Sequence, residues 1–265
     1  YAPMLPHTPH NPPDRILKHY QDRGCTAASA RYYAMCEWYD ETCGQILQHL
    51  DQHGLTDDTI VISVCDNGWI QPDPEKAPLP DGWKQPFAPR SKQSPYEGGI
   101  RTPILISWPR CLEPVVREDP ISSLDLVPTI LAAVGVGRDD RSSDTGMFPG
   151  INLLSDLSSG TVPSERFLCG ESFTHDVFDL SNPERSLMYR WGIMGQWKLI
   201  LTYPCKPDRY ADAHRGYDST PQLFNLASDP MEQQNLASEN PNVVRQIEEQ
   251  MQGVWYVTKR PTGVP

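Results

Sequence analysis

From about Ala27 to Gln52 apolar positions recur at three- and four-residue steps, at Met35, Trp38, Tyr39, Cys43, Ile46, Leu47 and Leu50. That period predicts one long amphipathic helix with a face packed on a core, and Gly54 supplies its stop. Thr59 to Cys65 is different, a short and nearly continuous apolar run rich in β-branched residues. It predicts a strand buried on both faces of a parallel sheet, ending at Asp66-Asn67-Gly68. A second such strand is expected from Pro103 to Trp108, and a second helix from Ser123 or Asp125, either able to cap it, through Leu126, Ile130 and Leu131 to Gly135. Further on the pattern turns antiparallel: Ser186 to Trp191 and Trp197 to Tyr203 flank a tight turn with Gly195, as in a hairpin. A last helix has Asn240 as cap, Pro241 in the first turn, and Val244, Ile247, Met251 and Trp255 on one face.

Prolines punctuate these elements. Residues 1–14 are a proline-rich loop held extended, since a residue before proline is pushed out of the helical region. Residues 69–95 hold seven more between Pro72 and Pro95, and 137–164 are polar and loop-like. The order helix, strand, loop, strand, helix places the chain in the α/β class. No internal repeat is present.

The chain has 265 residues, 38% of them hydrophobic, enough for a sizeable core. Its 34 acidic against 23 basic residues give a net charge of -11. This excludes a non-specific nucleic-acid binder, which needs clustered Lys and Arg to neutralise phosphates. No apolar run reaches membrane-spanning length. Seven cysteines lack the paired spacing of a zinc site or of a compact disulfide framework.

Ligands in open α/β sheets bind beyond the carboxyl ends of strands, so Asp66-Asn67 is well placed to hold one. An all-oxygen pair suits a hard cation such as Ca²⁺ or Mg²⁺, although two ligands are too few for a calcium shell and the same three residues also make a common turn. Lys92 precedes the double glycine Gly98-Gly99 and could meet an anionic substrate as a point charge, or be an ordinary solvated loop lysine. Glu97 and Arg101, four apart around the glycines, are expected to pair and brace the loop. His7 and His10 lie in HTPH between prolines, where an imidazole could transfer a proton or donate to an oxyanion.

Several segments together resemble a known family. His7-Thr8-Pro9, TIVISVCDNG from Thr59 to Gly68, SKQSPYEGGIRTPILISWP from Ser91 to Pro109, LDLVPTILAAVG from Leu124 to Gly135 and QLFNLASDPMEQQNLA from Gln222 to Ala237 are similar, in that order, to type I sulfatases of the alkaline-phosphatase-like superfamily. The resemblance implies an alkaline-phosphatase-like sandwich with a mostly parallel central sheet. Residues 1–160 would be the C-terminal part of the catalytic domain. Residues 161–265 would form a smaller α+β subdomain with an antiparallel sheet, a hairpin and the final helix. It also implies hydrolysis of a sulfate monoester by a formylglycine made from a cysteine or serine in a C-x-P-x-R motif. Residue by residue, Asp66 and Asn67 match metal ligands, usually of calcium with magnesium the alternative, Lys92 the lysine that contacts the sulfate and the leaving-group oxygen, and His7 the sulfate-binding histidine. His10 has no such match and is kept as a pocket candidate.

The match departs from the family at the nucleophile. Only Cys205-Lys206-Pro207-Asp208-Arg209 fits the bare motif. It follows the metal pair instead of preceding it and lacks the usual Ser before Arg, so Cys205 is read as a chance match and the formylglycine is expected outside this chain. Tyr1-Ala2-Pro3 would then continue a core strand, and the piece alone is expected to expose an apolar edge and be poorly soluble or unstable. Trp69, Gln71 and Trp83 are candidates to stack on a sugar or to anchor their own loop, and His175 or Arg185 could reach the site from the second subdomain. A carbohydrate sulfate is favoured over a simple aryl sulfate as partner. A phosphodiester or phosphonate ester, or a non-catalytic module that binds sulfated ligands, are the alternatives. The family implies a periplasmic or extracellular location. Oligomeric state is left open.

Overall fold

The computed structural model describes residues 1–68, 90–136, 150–154, 166–205 and 219–258. Trp69, Gln71, Trp83, the expected loops over 69–89, 137–149 and 155–165, the boundary at 160/161 and residues 206–209 of the C-x-P-x-R string lie outside them.

Helix α1 (Asp14–Asp22) packs against the long α2 (Ala27–Gln52). Helix α1 was not foreseen, since its nine residues carry barely two turns of period. Pro13, just ahead of it, has a φ of -58° already suited to helix entry. Ile16 on α1 is buried, as are Ala30, Ala34 and Met35 on α2, and Arg15 pairs with Glu41 through both guanidinium nitrogens. The expected core face of α2 is therefore only partly right. Met35 is buried, but Ile46 and Leu47, in the second half of the stripe, are exposed. Helix α2 ends as expected, with His53 after its last residue and Gly54 at a φ of 63°.

Strand β1 (Val61–Val64) pairs with β2 (Ile104–Ser107) in register Val61↔Ser107 to Val64↔Ile104. The pairing is antiparallel and forms a two-stranded sheet, where the apolar runs had predicted strands buried on both faces of a parallel one. Every β1 residue is partly or fully exposed. Residues 1–6 form no strand. Instead Tyr1 donates from its hydroxyl to Thr42 on α2 at 2.8 Å, which corrects the expected strand continuation.

The glycine-stopped helix after β2 begins with a 3₁₀ turn over Ser123–Asp125 and continues as α4 (Leu126–Ala133); a single turn, α3 (Glu97–Ile100), precedes β2. The cap is Ser122, one residue earlier than expected. Its hydroxyl accepts from Leu124 N–H while Asp125 accepts from Ser122 N–H, a reciprocal capping box. Gly135 takes a φ of 72° and Val136 N–H reaches back to Leu131 at 2.8 Å, closing the helix.

The main core lies further along the chain. Strands β3 (Phe167–Phe173), β4 (Leu187–Met194), β5 (Trp197–Thr202) and β6 (Gln222–Asn225) form an antiparallel sheet in that order, with the expected hairpin between β4 and β5 and Gly195 at a φ of 56°. Helix α5 (Pro241–Val254) covers one face, where Ile247 and Met251 join Leu187, Leu199, Leu201, Tyr203 and Leu223. Asn240 precedes α5 but makes no side-chain cap; its amide donates to Leu236 carbonyl instead. Side chains alternate across β5, so Ile200 points the other way and packs with Met188, Tyr189, Phe224 and Tyr96. Tyr96 comes from the segment that carries Lys92. The sheet is thus covered by α5 on one side and by that segment on the other. No helix among the described residues is long and apolar enough to cross a membrane.

Candidate active site

Asp66, Asn67 and Gly68 follow β1 directly, and two contacts fix their path. Thr102 donates from its hydroxyl to Cys65 carbonyl at 3.2 Å, and Gly68 N–H donates to Gly99 carbonyl at 2.9 Å. The approach is too close for any side chain, because a Cβ on Gly68 would fall 2.0 Å from Gly98 carbonyl oxygen. Gly99 is equally constrained, since a Cβ there would sit 2.4 Å from Ser94 carbonyl and 2.5 Å from Ser91 carbonyl. These glycines bring the carboxyl end of β1 against the Ser91–Gly99 segment. Lys92, half-buried, is placed on the segment that the Asp66-Asn67 loop abuts.

Within the pair, Asn67 Nδ2 donates to Asp66 Oδ1, while Asn67 Oδ1 is buried and has no hydrogen-bond partner among the described residues. A buried acceptor left open is costly unless something else fills it. Among the described residues no group of three or more His, Cys, Asp or Glu side chains is placed to hold a metal. The pair offers oxygen donors for a hard cation, but only part of a shell.

His7 is exposed; its Nδ1 lies 2.7 Å from Thr8 carbonyl, and its backbone N–H donates to Met4 carbonyl at 2.7 Å. His10 is half-buried and tilts against Tyr32 with ring centroids 5.7 Å apart. Burial pushes the His10 pKa down, against a backbone hydrogen bond at Pro6 that raises it, and nearby His7 and Arg31 lower it further. Burial raises the Tyr32 phenol, with the Cys36 and Cys65 thiols adding to the effect. Contacts bring two of the candidate segments together, the end of β1 and the Lys92 loop, while HTPH packs through His10 on Tyr32 of α2. Among the described residues no hydrogen bond or ion pair joins His7, Lys92 and Asp66 directly.

The expected Glu97 to Arg101 brace is replaced by a longer-range one. The Glu97 carboxylate meets Lys198 Nζ at 2.7 Å, and Lys198 also meets Glu232 at 2.8 Å. Sequence reasoning missed Lys198 and Glu232. The available signal was a lysine inside the apolar run of β5. His175 and Arg185 have charged partners in their own loop, Asp176 at 2.8 Å and Asp179 at 3.2 Å. Cys205 is exposed, and no disulfide joins any of the seven cysteines.

The family model for sulfatases matches residues 1–136, half of the chain and the half that holds HTPH, the end of β1 and the Lys92 loop. The chain belongs to the sulfatase family. This sulfatase chain is 27% identical over 229 residues to an N-acetylgalactosamine-6-O-sulfatase of Bacteroides thetaiotaomicron, covering 81% of itself and 40% of that relative. It is 29% identical over 225 residues to arylsulfatase K of Xenopus laevis, covering 85% and 36%. A solved structure from work on glycosaminoglycan metabolism by Bacteroides thetaiotaomicron superposes with a TM-score of 0.67 at 25% identity, over 94% of this chain and 48% of that one. The phosphonate monoester hydrolase of Agrobacterium radiobacter shares the fold at a TM-score of 0.58 and 20% identity, over 86% and 41%. The sulfatase chain therefore spans less than half the length of each of these proteins. Its fold is the sulfatase one, with the antiparallel sheet in the C-terminal part.

Proposed function

We propose that this chain supplies part of the active site of an enzyme that hydrolyses sulfate monoesters, with a sulfated carbohydrate as substrate. The observation that carries the reading is the junction of Gly68 with Gly98-Gly99, which seats an oxygen-donor pair beside a lysine-bearing loop in a sulfatase-family chain. Asp66 and Asn67 would hold Ca²⁺, or Mg²⁺ in its place, and the open Asn67 Oδ1 suits that use. A bound dication there would supply charge neutralisation for the ester's sulfate oxygens. Lys92 would bind the sulfate and the leaving-group oxygen as a compact cation, and His7 would donate a hydrogen bond to the sulfate. His10, half-buried behind His7, is the pocket candidate. The formylglycine nucleophile lies outside these 265 residues in this reading, and Cys205 is not it. The sugar preference draws support from the relative named for N-acetylgalactosamine-6-O-sulfate. Export to the periplasm or cell exterior belongs to the same proposal, and cell fractionation would check it.

Turnover of 6-O-sulfated N-acetylgalactosamine, 4-nitrophenyl sulfate and the matching phosphate and phosphonate esters by the full-length protein tests the reading. The sulfated sugar is expected to react fastest, chelation to abolish turnover, and Lys92→Ala to lower kcat roughly 10²- to 10³-fold, as for loss of a group that stabilises transition-state charge. Asp66→Ala should lower Ca²⁺ affinity at least about ten-fold. Faster phosphate or phosphonate cleavage would move the chain to the other branch of its superfamily. Binding of sulfated sugar without turnover would make it a non-catalytic module. An aldehyde found at position 205 by peptide mass spectrometry would overturn the placement of the nucleophile.

A further inference from the structure

The loop that carries Lys92 is held in an uncommon conformation. Arg90 and Gln93 have φ values of 57° and 69°, in a region that residues other than glycine occupy at a cost and only where their surroundings impose it. Local bonds close the loop but anchor it to nothing else: Ser94 donates to Ser91 carbonyl from its N–H at 3.0 Å and from its hydroxyl at 2.6 Å. The anchoring comes from strands β5 and β6 and from the loop that follows β6, more than a hundred residues away in sequence. Arg90 donates to Glu232 carbonyl, and its guanidinium lies 4.6 Å from the centre of the Tyr96 ring. Tyr96, itself buried, donates from its hydroxyl to Gln222 on β6 at 2.7 Å.

At the centre is a buried charge cluster. Lys198 on β5 is fully buried, which no lysine tolerates as a cation without partners. It has two, Glu97 Oε1 at 2.7 Å and Glu232 Oε1 at 2.8 Å. The second oxygen of Glu232, in the loop after β6, accepts Glu97 N–H at 2.6 Å, so the side chain of residue 97 is tied to β5 and its backbone to that loop. Glu97 opens the turn whose Gly98 and Gly99 press on Gly68. A buried ionic cluster is a weak source of stability compared with an apolar one, and what it adds is a single geometry. Lys198 and the Glu232 carboxylate both reach the Lys92 loop at residue 97.

We propose that Lys198 on β5 and Glu232 in the loop after β6, acting through Glu97, are positioning residues that set the Lys92 loop and, through Gly68, the Asp66-Asn67 end of β1. The effect on catalysis rests on the sulfatase reading above; the fixing of the loop does not. The test uses the full-length protein and two variants. Glu97→Gln keeps the backbone N–H and the side-chain volume, and Lys198→Met removes the central charge; if Lys198→Met fails to fold, Glu97→Gln carries the test alone.

Two readouts separate the parts. Amide hydrogen exchange in residues 91–100 should rise at least ten-fold while exchange in β4 is unchanged. The loss in kcat/KM should be at least ten-fold greater for a sugar sulfate, a poor leaving group, than for 4-nitrophenyl sulfate, because a displaced Lys92 no longer meets the leaving oxygen. A smaller folded population would lower both substrates equally. Unchanged exchange in 91–100 would overturn the proposal, and so would equal losses on the two substrates. If the wild-type protein hydrolyses no sulfate ester, the sulfatase reading fails, and the exchange measurement alone decides the fixing of the loop.

Discussion

His10 shows how far a single residue can be read. Its place between prolines marked it as held, but the half-buried ring beside Tyr32 comes from helix α2 passing behind the loop. Burial lowers its pKa, so the folded state prefers the neutral ring more than the unfolded chain does. The stability it contributes is therefore present above the ordinary value of about 6.5 and is lost as pH falls below that toward the depressed value. Replacing His10 with Asn should flatten the rise in urea midpoint between pH 5.5 and 7.5. An unaltered slope would mean that another group governs that window. Asp66, Asn67 and Lys92 were legible for a different reason, since each sits in a punctuated loop beside a strand end or a double glycine. The partner of Glu97 was not legible. A local rule selects Arg101, four residues on, whereas the fold delivers Lys198 from 101 residues away.

Among elements, helices were readable wherever their period ran long enough. Helix α2 and the final helix matched their expected spans, while α1 was too short to announce itself. Strands were recognisable as runs, but their direction of pairing was not, because a β-branched run fits either ladder and only its neighbour decides. One junction between elements has a clear energetic test. Asp125 at the start of α4 is fully buried and accepts both guanidinium nitrogens of Arg166, just before β3, at 2.5 and 2.6 Å. It also accepts Ser122 N–H and Ile151 N–H, tying three stretches of chain to one carboxylate. Arg166→Met leaves that charge buried without its ionic partner and should cost about 3–5 kcal/mol. The double variant Asp125→Asn with Arg166→Met should lose less than the sum of the two single changes, as for residues in direct contact. Additive losses in a denaturation cycle would show that the pair is not a unit.

At the scale of the molecule the two halves differ in how well their apolar surface is covered. The sheet β3–β6 has α5 on one face and the Tyr96 segment on the other. The β1–β2 pair and the second half of α2 leave Val64, Leu105, Ile46 and Leu47 in solvent, with Leu105 63% exposed. The 265-residue chain by itself should therefore self-associate as its concentration rises. Leu105→Lys is expected to shift light scattering toward the monomer without lowering the melting temperature, since the side chain it replaces touches little. Persistent association of that variant would assign the contact to another surface.

The sequence by itself determined the long helices, the strand runs, the hairpin, the loop positions of the candidate residues and the family, because each follows from short-range periodicity or from a motif a few residues long. Tertiary structure alone decided that β1 runs antiparallel to β2, that glycines 68 and 99 bring two loops within backbone contact, and that the Lys92 loop is anchored by a buried lysine from a distant strand. Those outcomes depend on which surfaces meet in space. Local propensity carries no information about a partner a hundred residues away.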